Sequence, residues 1–437
     1  MRSLLSTFLA ISSISYLTAA QPSQACTGEG VKAVEWAVKP GEVKVFRVND
    51  RVVRVTVPEA YTQSKPAPMI IAFHDREQPP EHLEYETAFG DEKVNPSAIM
   101  VYPTAENDRW LSDFGKLQKL GTQSENYTAD IDFIRYLVRD LDSMICIDTS
   151  RIYAAGLGTG GGMMHLLACD KELSTKFAAF AAVGGGFGRA KAGVAPWGVC
   201  STERTNTPIM EIHGKDDRIF GYYLTEGENG KIRTIPQHWI EDWAERNGCG
   251  EKDGDAVQST SDPRTWITKL DNGVMTETVQ YGGSAIRVAR RCFGADGEDK
   301  TVADAALGDA KSDVLHYQIA HYGHGWPRLQ LKKAKSIIFH DTEIELEEGT
   351  QFFDTSKVMI DFFMAHKLPK EYLVSASGPT DEELEKQMRA MLKQKAGGIE
   401  ISDAEIKERV QELKKAMGDM KNKPAGEVVD EDEKDEL

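Results

Sequence analysis

After its first twenty residues the chain has no run of about eighteen apolar residues, so no later segment reads as a membrane-spanning helix. It has no Cys-x-x-Cys pair, which removes a thioredoxin-like redox role. It has no His-Glu-x-x-His, so His316, His321 and His324 lack the spacing that would make them a metal set, and no metal is expected. Positive charge is also scarce. The 52 Lys and Arg stand against 69 Asp and Glu, a net charge of -17, which argues against a nucleic-acid partner. A further absence, of one serine, matters more than these.

The stretch Arg151-Ile-Tyr-Ala-Ala-Gly-Leu-Gly-Thr-Gly-Gly-Gly-Met-Met-His-Leu-Leu-Ala-Cys-Asp170 runs from a short apolar strand, through a glycine-dense turn, into apolar residues at helical spacing. Strand, tight turn and helix make a nucleophile elbow, whose pattern is Gly-x-Ser-x-Gly. Gly156 and Gly160 are in place, but the central residue is Gly158. Glycine adopts the strained elbow backbone freely, so its presence should cost nothing in folding.

The two ends carry addresses. Arg2, a small and apolar run from Leu4 to Leu17, and Thr18-Ala19-Ala20 predict a signal peptide over 1–20. The last four residues, Lys434-Asp-Glu-Leu437, match the receptor-read retention signal of the endoplasmic reticulum (ER), so residence in the ER lumen is expected. Six cysteines (Cys26, Cys146, Cys169, Cys200, Cys249, Cys292) in that oxidising compartment imply disulfides. Cys169 with Cys200 is the pairing that closeness in sequence suggests. Asn126-Tyr-Thr is a glycosylation sequon and predicts a surface position.

Between the ends, Val43–Val57 alternates apolar and polar residues around Asn49-Asp50 and reads as a hairpin at a sheet edge. Continuous apolar runs at Met69–Phe73, Ile99–Tyr102, Ile152–Ala155, Phe177–Val183 and Pro208–Ile212 read as strands buried on both faces. Helical spacing marks Ala129–Met144, Ile235–Arg246 and Phe353–His366. The fold class is therefore α/β, a mostly parallel sheet covered on both faces, spanning 21–373. Beyond a linker at Ser375–Pro379, two amphipathic segments within 374–420 read as a helical hairpin, and 421–437 as an acidic disordered tail.

Acid and base follow the elbow on later loops in such folds. Glu211-Ile-His-Gly-Lys-Asp-Asp217 ends one strand with carboxylates, and His321-Tyr-Gly-His324-Gly-Trp-Pro327 sets a histidine in a glycine-flanked loop after another. The elbow stretch resembles the fungal feruloyl esterases and the wider carbohydrate-esterase and polyhydroxybutyrate-depolymerase group. So do Ala72-Phe-His74, Val101-Tyr-Pro103 with Trp110, His213-Gly214 with Asp217 and Tyr222, Arg246-Asn-Gly-Cys249, and Gly323-His-Gly-Trp-Pro327. The resemblance implies an α/β-hydrolase sandwich of three layers without a cofactor, acting on an ester or carbohydrate ligand.

By position it makes Asp217 the acid, His324 the base and Gly158 the site of the missing nucleophile. It makes the Thr159 N–H and the His74 loop the oxyanion hole, and Trp326, Tyr222 and Trp110 substrate-binding residues. The family's His-Gly reads His74-Asp75 here, and a carboxylate beside an oxyanion opposes catalysis unless it points away. The likeness also suggests a Cys249–Cys292 disulfide.

The leading expectation is a hydrolase scaffold of the ER lumen, impaired in catalysis, with the retention receptor as a partner. The alternatives are an esterase with an unusual nucleophile, such as Thr159 or a water activated by His324, and an interaction protein acting through its C-terminal helices. Gly158→Ser is the change that asks whether only the nucleophile is missing.

Overall fold

The computed structural model describes residues 21–27, 38–112, 129–187, most of 200–247, 314–328, 353–369 and 372–373, with short backbone strands within 256–291 and 336–345. Residues 1–20, Asn126, Cys249, Cys292 and the segment 374–437 lie outside the described residues, and with them the signal, sequon, hairpin and tail expectations.

The expected edge hairpin is β1 (Val43–Val48) with β2 (Arg51–Thr56), paired from Val48↔Arg51 outward. Asn49 and Asp50 both have positive φ, 46° and 62°, the backbone that a two-residue turn needs to follow the strand twist. The central strands are β3 (Ala67–Phe73), β4 (Ile99–Pro103), β5 (Ile147–Leu157), β6 (Ala179–Val183) and β7 (Ile209–Gly214). In β3, Met69, Ile71 and Phe73 enter one core cluster while Ile70 and Ala72 enter the other. Side chains alternate across a sheet, so a strand filling two cores must be apolar throughout. Burying each large side chain contributes roughly 1.5–3 kcal/mol.

Helices cover both faces. On one face lie α2 (Ala129–Met144), α3 (Thr159–Cys169) and α4 (Pro236–Arg246), bringing Ile134, Met163, Met164 and Trp239 to the first cluster. On the other, α1 (Pro80–Thr87) and α5 (Thr355–Ala365) bring Leu83, Met359 and Phe363. Asp354 caps α5 by accepting the Lys357 N–H.

The small strands β8 (Glu226–Gly227) and β9 (Lys231–Ile232) pair with each other. They are followed by β10 (Ala256–Gln258), β11 (Thr265–Lys269), β12 (Met275–Tyr281) and β13 (Ser284–Arg291). Then comes β14 (Val314–Ile319), and β15 (Ser336–Phe339) pairs with β16 (Thr342–Glu345). The main sheet has order β1-β2-β4-β3-β5-β6-β7-β14-β13-β12-β11-β10, parallel from β4 through β14. The α/β class read from the sequence is the observed one.

The antiparallel meander β10–β13, which extends the sheet past β14, was not read from the sequence. Its strands mix polar residues such as Thr276, Thr278 and Gln280 among apolar ones, so they carry none of the continuous apolar runs that marked the centre.

Two disulfides tie the ends of elements together. Cys169–Cys200 is the pairing closeness in sequence suggested, and Cys26–Cys146 is a pairing the sequence reading did not reach. The latter closes a loop of 120 residues and pins residues 21–27 along the start of β5, where Ser23 Oγ donates to the Ile145 carbonyl at 2.8 Å. Chain-entropy loss in the unfolded state makes such a loop worth about 5 kcal/mol, against about 4 kcal/mol for a loop of some thirty residues. Cys26→Ala/Cys146→Ala is expected to lower unfolding stability by ~3–5 kcal/mol in denaturant titration. Non-reducing peptide mapping should recover the Cys26–Cys146 linkage, and a different partner for Cys26 would contradict this account.

Candidate active site

The C-terminal ends of β3, β5, β6, β7 and β14 lie along one edge of the sheet, as the parallel direction of these strands requires. Asp75 follows β3, Gly158 follows β5, Asp217 follows β7 and His324 follows β14. The elbow is formed: Gly158 has φ 56° and ψ -115° and directly precedes α3. Such a backbone strains any residue with a Cβ by about 1–3 kcal/mol, and glycine adopts it freely. Gly160 is required for a different reason. A Cβ there would fall on the Phe73 carbonyl, so only glycine lets α3 approach the end of β3.

The structure brings Asp217 and His324 together, with His324 Nδ1 donating to Asp217 Oδ2 at 2.8 Å. The opposite ring nitrogen, which would face a nucleophile, donates instead to Asp75 Oδ2 at 3.0 Å. The other oxygen of Asp75 accepts the Thr159 N–H at 2.7 Å and the Thr159 hydroxyl at 3.0 Å. Asp75 therefore points into the centre. Its carboxylate lies on the N–H expected to serve an oxyanion and in the space beside Gly158 where a serine side chain would stand.

A Cβ built at position 158 falls directly on the Asp75 carboxylate. This corrects the view that Gly158→Ser alone tests the missing nucleophile, because position 158 has no room for a side chain while Asp75 stays in place.

Charge follows geometry. Burial opposes charging the His324 imidazole, but hydrogen bonds to Asp217 and Asp75 outweigh it and raise its pKa to about 10. Burial likewise opposes ionisation of Asp75. His324 and the backbone N–H groups of Thr159 and Arg76 overcome that and hold its carboxyl below the usual range. Asp217 is lowered as well: hydrogen bonds from His213 and His324 overcome the effect of its burial.

Behind Asp217 lies a row of groups to which the sequence reading gave no role. His213 Nε2 approaches Asp217 Oδ2 at 3.3 Å, and His213 Nδ1 donates to Glu211 Oε1 at 2.7 Å. The other Glu211 oxygen faces His316 Nε2 at 3.2 Å. Burial alone would lower the His213 pKa, but Glu211 and Asp217 raise it to about 9. Glu211 and His213 are two apart on β7 and so share a face, which is the signal that could have paired them.

The remaining predicted residues do other work. His74 is buried, accepting the Ala105 N–H at its Nε2 (3.0 Å) while its Nδ1 donates to the Asp75 carbonyl, so both ring nitrogens are used in holding the loop. Trp110 is fully buried against Phe73, with its N–H on the His74 carbonyl. Trp326 is buried and donates to Ser356 Oγ, and Tyr222 is buried with its ring stacked on His316. These three aromatics, assigned to substrate by resemblance, are buried and each has an internal partner. His316 and His321 do not converge with His324: His316 faces Glu211, and His321 is exposed beside Asp216 at 3.6 Å.

No protein-family model matches the chain. Among curated proteins, feruloyl esterase B of Piromyces equi is 29% identical over 203 residues, covering 46% of this chain and 36% of that protein. A probable feruloyl esterase C of Aspergillus flavus is 26% identical over 190 residues, covering 41% of this chain and 59% of that protein. The matched stretch thus spans less than two thirds of the length of either relative. A solved acetyl xylan esterase from Aspergillus awamori aligns with TM-score 0.37 at 14% identity, covering 65% of this chain and 94% of that one, a superposition too loose to add weight. The sheet order and the glycine-held elbow are those of an α/β hydrolase, and over less than half of its length the chain is similar in sequence to feruloyl esterases.

Proposed function

We propose that this protein is a hydrolase scaffold of the ER lumen that has lost serine-type ester hydrolysis. The observation that carries the reading is the Asp75 carboxylate, held between the Thr159 N–H and His324 Nε2. Acyl transfer needs a nucleophile at the elbow, a base with a free ring nitrogen and donors left open for the oxyanion. Position 158 offers no side chain, His324 is a cation between two carboxylates, and the Thr159 N–H is already satisfied. By the relatives' names, the ester class that such a scaffold serves is a feruloyl ester. The luminal assignment is supported by the terminal Lys-Asp-Glu-Leu, the N-terminal apolar run and two disulfides.

Hydrolysis of methyl ferulate and a nitrophenyl ester by the full chain tests the catalytic part. Wild type and Gly158→Ser are expected to be silent. Asp75→Gly/Gly158→Ser, which clears the collision and supplies the hydroxyl, is expected to exceed both by at least ~10²-fold, a fraction of what a triad serine contributes. Wild-type turnover abolished by His324→Ala would overturn the reading.

The charge state makes a second prediction. A histidine pKa raised by folding adds stability that is complete below its unfolded value of roughly 6.5 and disappears as pH climbs through the folded value. His324 at about 10 and His213 at about 9 therefore predict stability falling steadily over about pH 7–10. Asp75→Asn should lower the His324 pKa and flatten that slope. Ring titration by nuclear magnetic resonance together with denaturant unfolding at each pH would show it, and a His324 that titrates near 6.5 in wild type would refute it.

A further inference from the structure

We propose that the former catalytic centre is a monocarboxylate-binding site in which Asp75 is the built-in ligand. The inference rests on the closed-site reading and names the chemistry that the site recognises. Besides the adjacent Arg76 N–H, three donors from two separate elements converge on one planar group. The Thr159 N–H and hydroxyl take one oxygen at 2.7 and 3.0 Å, and His324 Nε2 takes the other at 3.0 Å. That division matches the two oxygens of a carboxylate. An ester would leave the His324 donor facing a weakly accepting alkoxy oxygen.

The surroundings select charge in the same sense. His324 is 10% exposed and Asp75 5% exposed at their side chains, so the pair interacts with little screening from water. Asp217 lies behind the imidazole and makes no contact with the Asp75 pocket; its Oδ2 faces His324 Nδ1 and His213, and its Oδ1 accepts the backbone N–H groups of Ile219 and Phe220. Removing the Asp75 side chain would leave His324 and Thr159 with donors and no acceptor, a buried state that costs several kcal/mol. Replacing aspartate with glycine deletes a CH₂COO⁻ group, and acetate has that group's shape and charge. Position 158 has no side chain to obstruct it.

The test uses acetate as the probe on the full-length chain. Asp75→Gly is expected to melt below wild type and to regain about 3–5 °C in saturating acetate, and Asp75→Ala, which loses only the COO⁻, to regain as much in formate, each with a hyperbolic dependence on concentration. Chloride at equal ionic strength and methyl acetate should give no such gain. Wild type, already occupied, should not respond, nor should Asp75→Asn, whose amide fills the space. In Asp75→Gly the His324 ring should titrate at least ~1 pH unit lower than in wild type, and acetate should restore it. An Asp75→Gly variant that ignores acetate, or variants that respond equally to chloride, would overturn the proposal. If Asp75→Gly/Gly158→Ser hydrolyses esters while Asp75→Gly ignores acetate, the closed-esterase reading stands and the carboxylate site falls. If wild type proves active while Asp75→Gly responds to acetate, the reverse holds.

Discussion

One carboxylate connects the ends of three elements. Asp75, just past β3, accepts from the first N–H of α3 and from the imidazole that follows β14. A buried carboxylate is expensive unless it is paired and hydrogen-bonded, and here both conditions are met. The arrangement depends on glycine at 158, because any Cβ there would collide with Asp75. Aspartate at 75 and glycine at 158 therefore fit one another: the carboxylate takes the space that a side chain at 158 would need.

The same interaction sets the charge of what lies behind. His324 is shared between Asp75 and Asp217, Asp217 between His324 and His213, and His213 between Asp217 and Glu211. Carboxylates and imidazoles alternate through the interior, so His324, Asp217 and His213 each lie between two groups of opposite charge. Removing a member from such a row leaves its neighbours unpaired in a medium that stabilises isolated charge poorly. In a working triad the outer ring nitrogen must be free to take a proton. Here that nitrogen is paired with Asp75, so the imidazole is one member of a buried ion cluster.

Most of the scaffold was legible in the chain. The apolar runs at 69–73, 99–102 and 152–155 marked strands buried on both faces, and Ala129–Met144 emerged as a helix with the same ends. The mixed polarity of β11–β13 hid the meander, since partial alternation over five to eight residues is a weaker signal than an apolar run. At the centre, order along the chain was enough to suggest Asp217 and His324. The burial of the aromatics has a definite reason. Trp110 and Trp326 are large apolar rings with one donor each, and the interior offered each of them a carbonyl or hydroxyl to satisfy it.

Sequence by itself determined the fold class and the presence of an elbow with glycine at its tip, and it singled out Asp217 and His324 as candidates by their order along the chain. These rest on periodicity and local backbone preference, which neighbouring residues carry. The direction of the Asp75 side chain, the double pairing of His324 and the Cys26–Cys146 bridge were decided by tertiary structure alone. Each joins groups tens to hundreds of residues apart, 249 between His324 and Asp75 and 120 between the two cysteines. Contacts of that span exist only once the sheet has brought the strand ends together, and no local pattern encodes them.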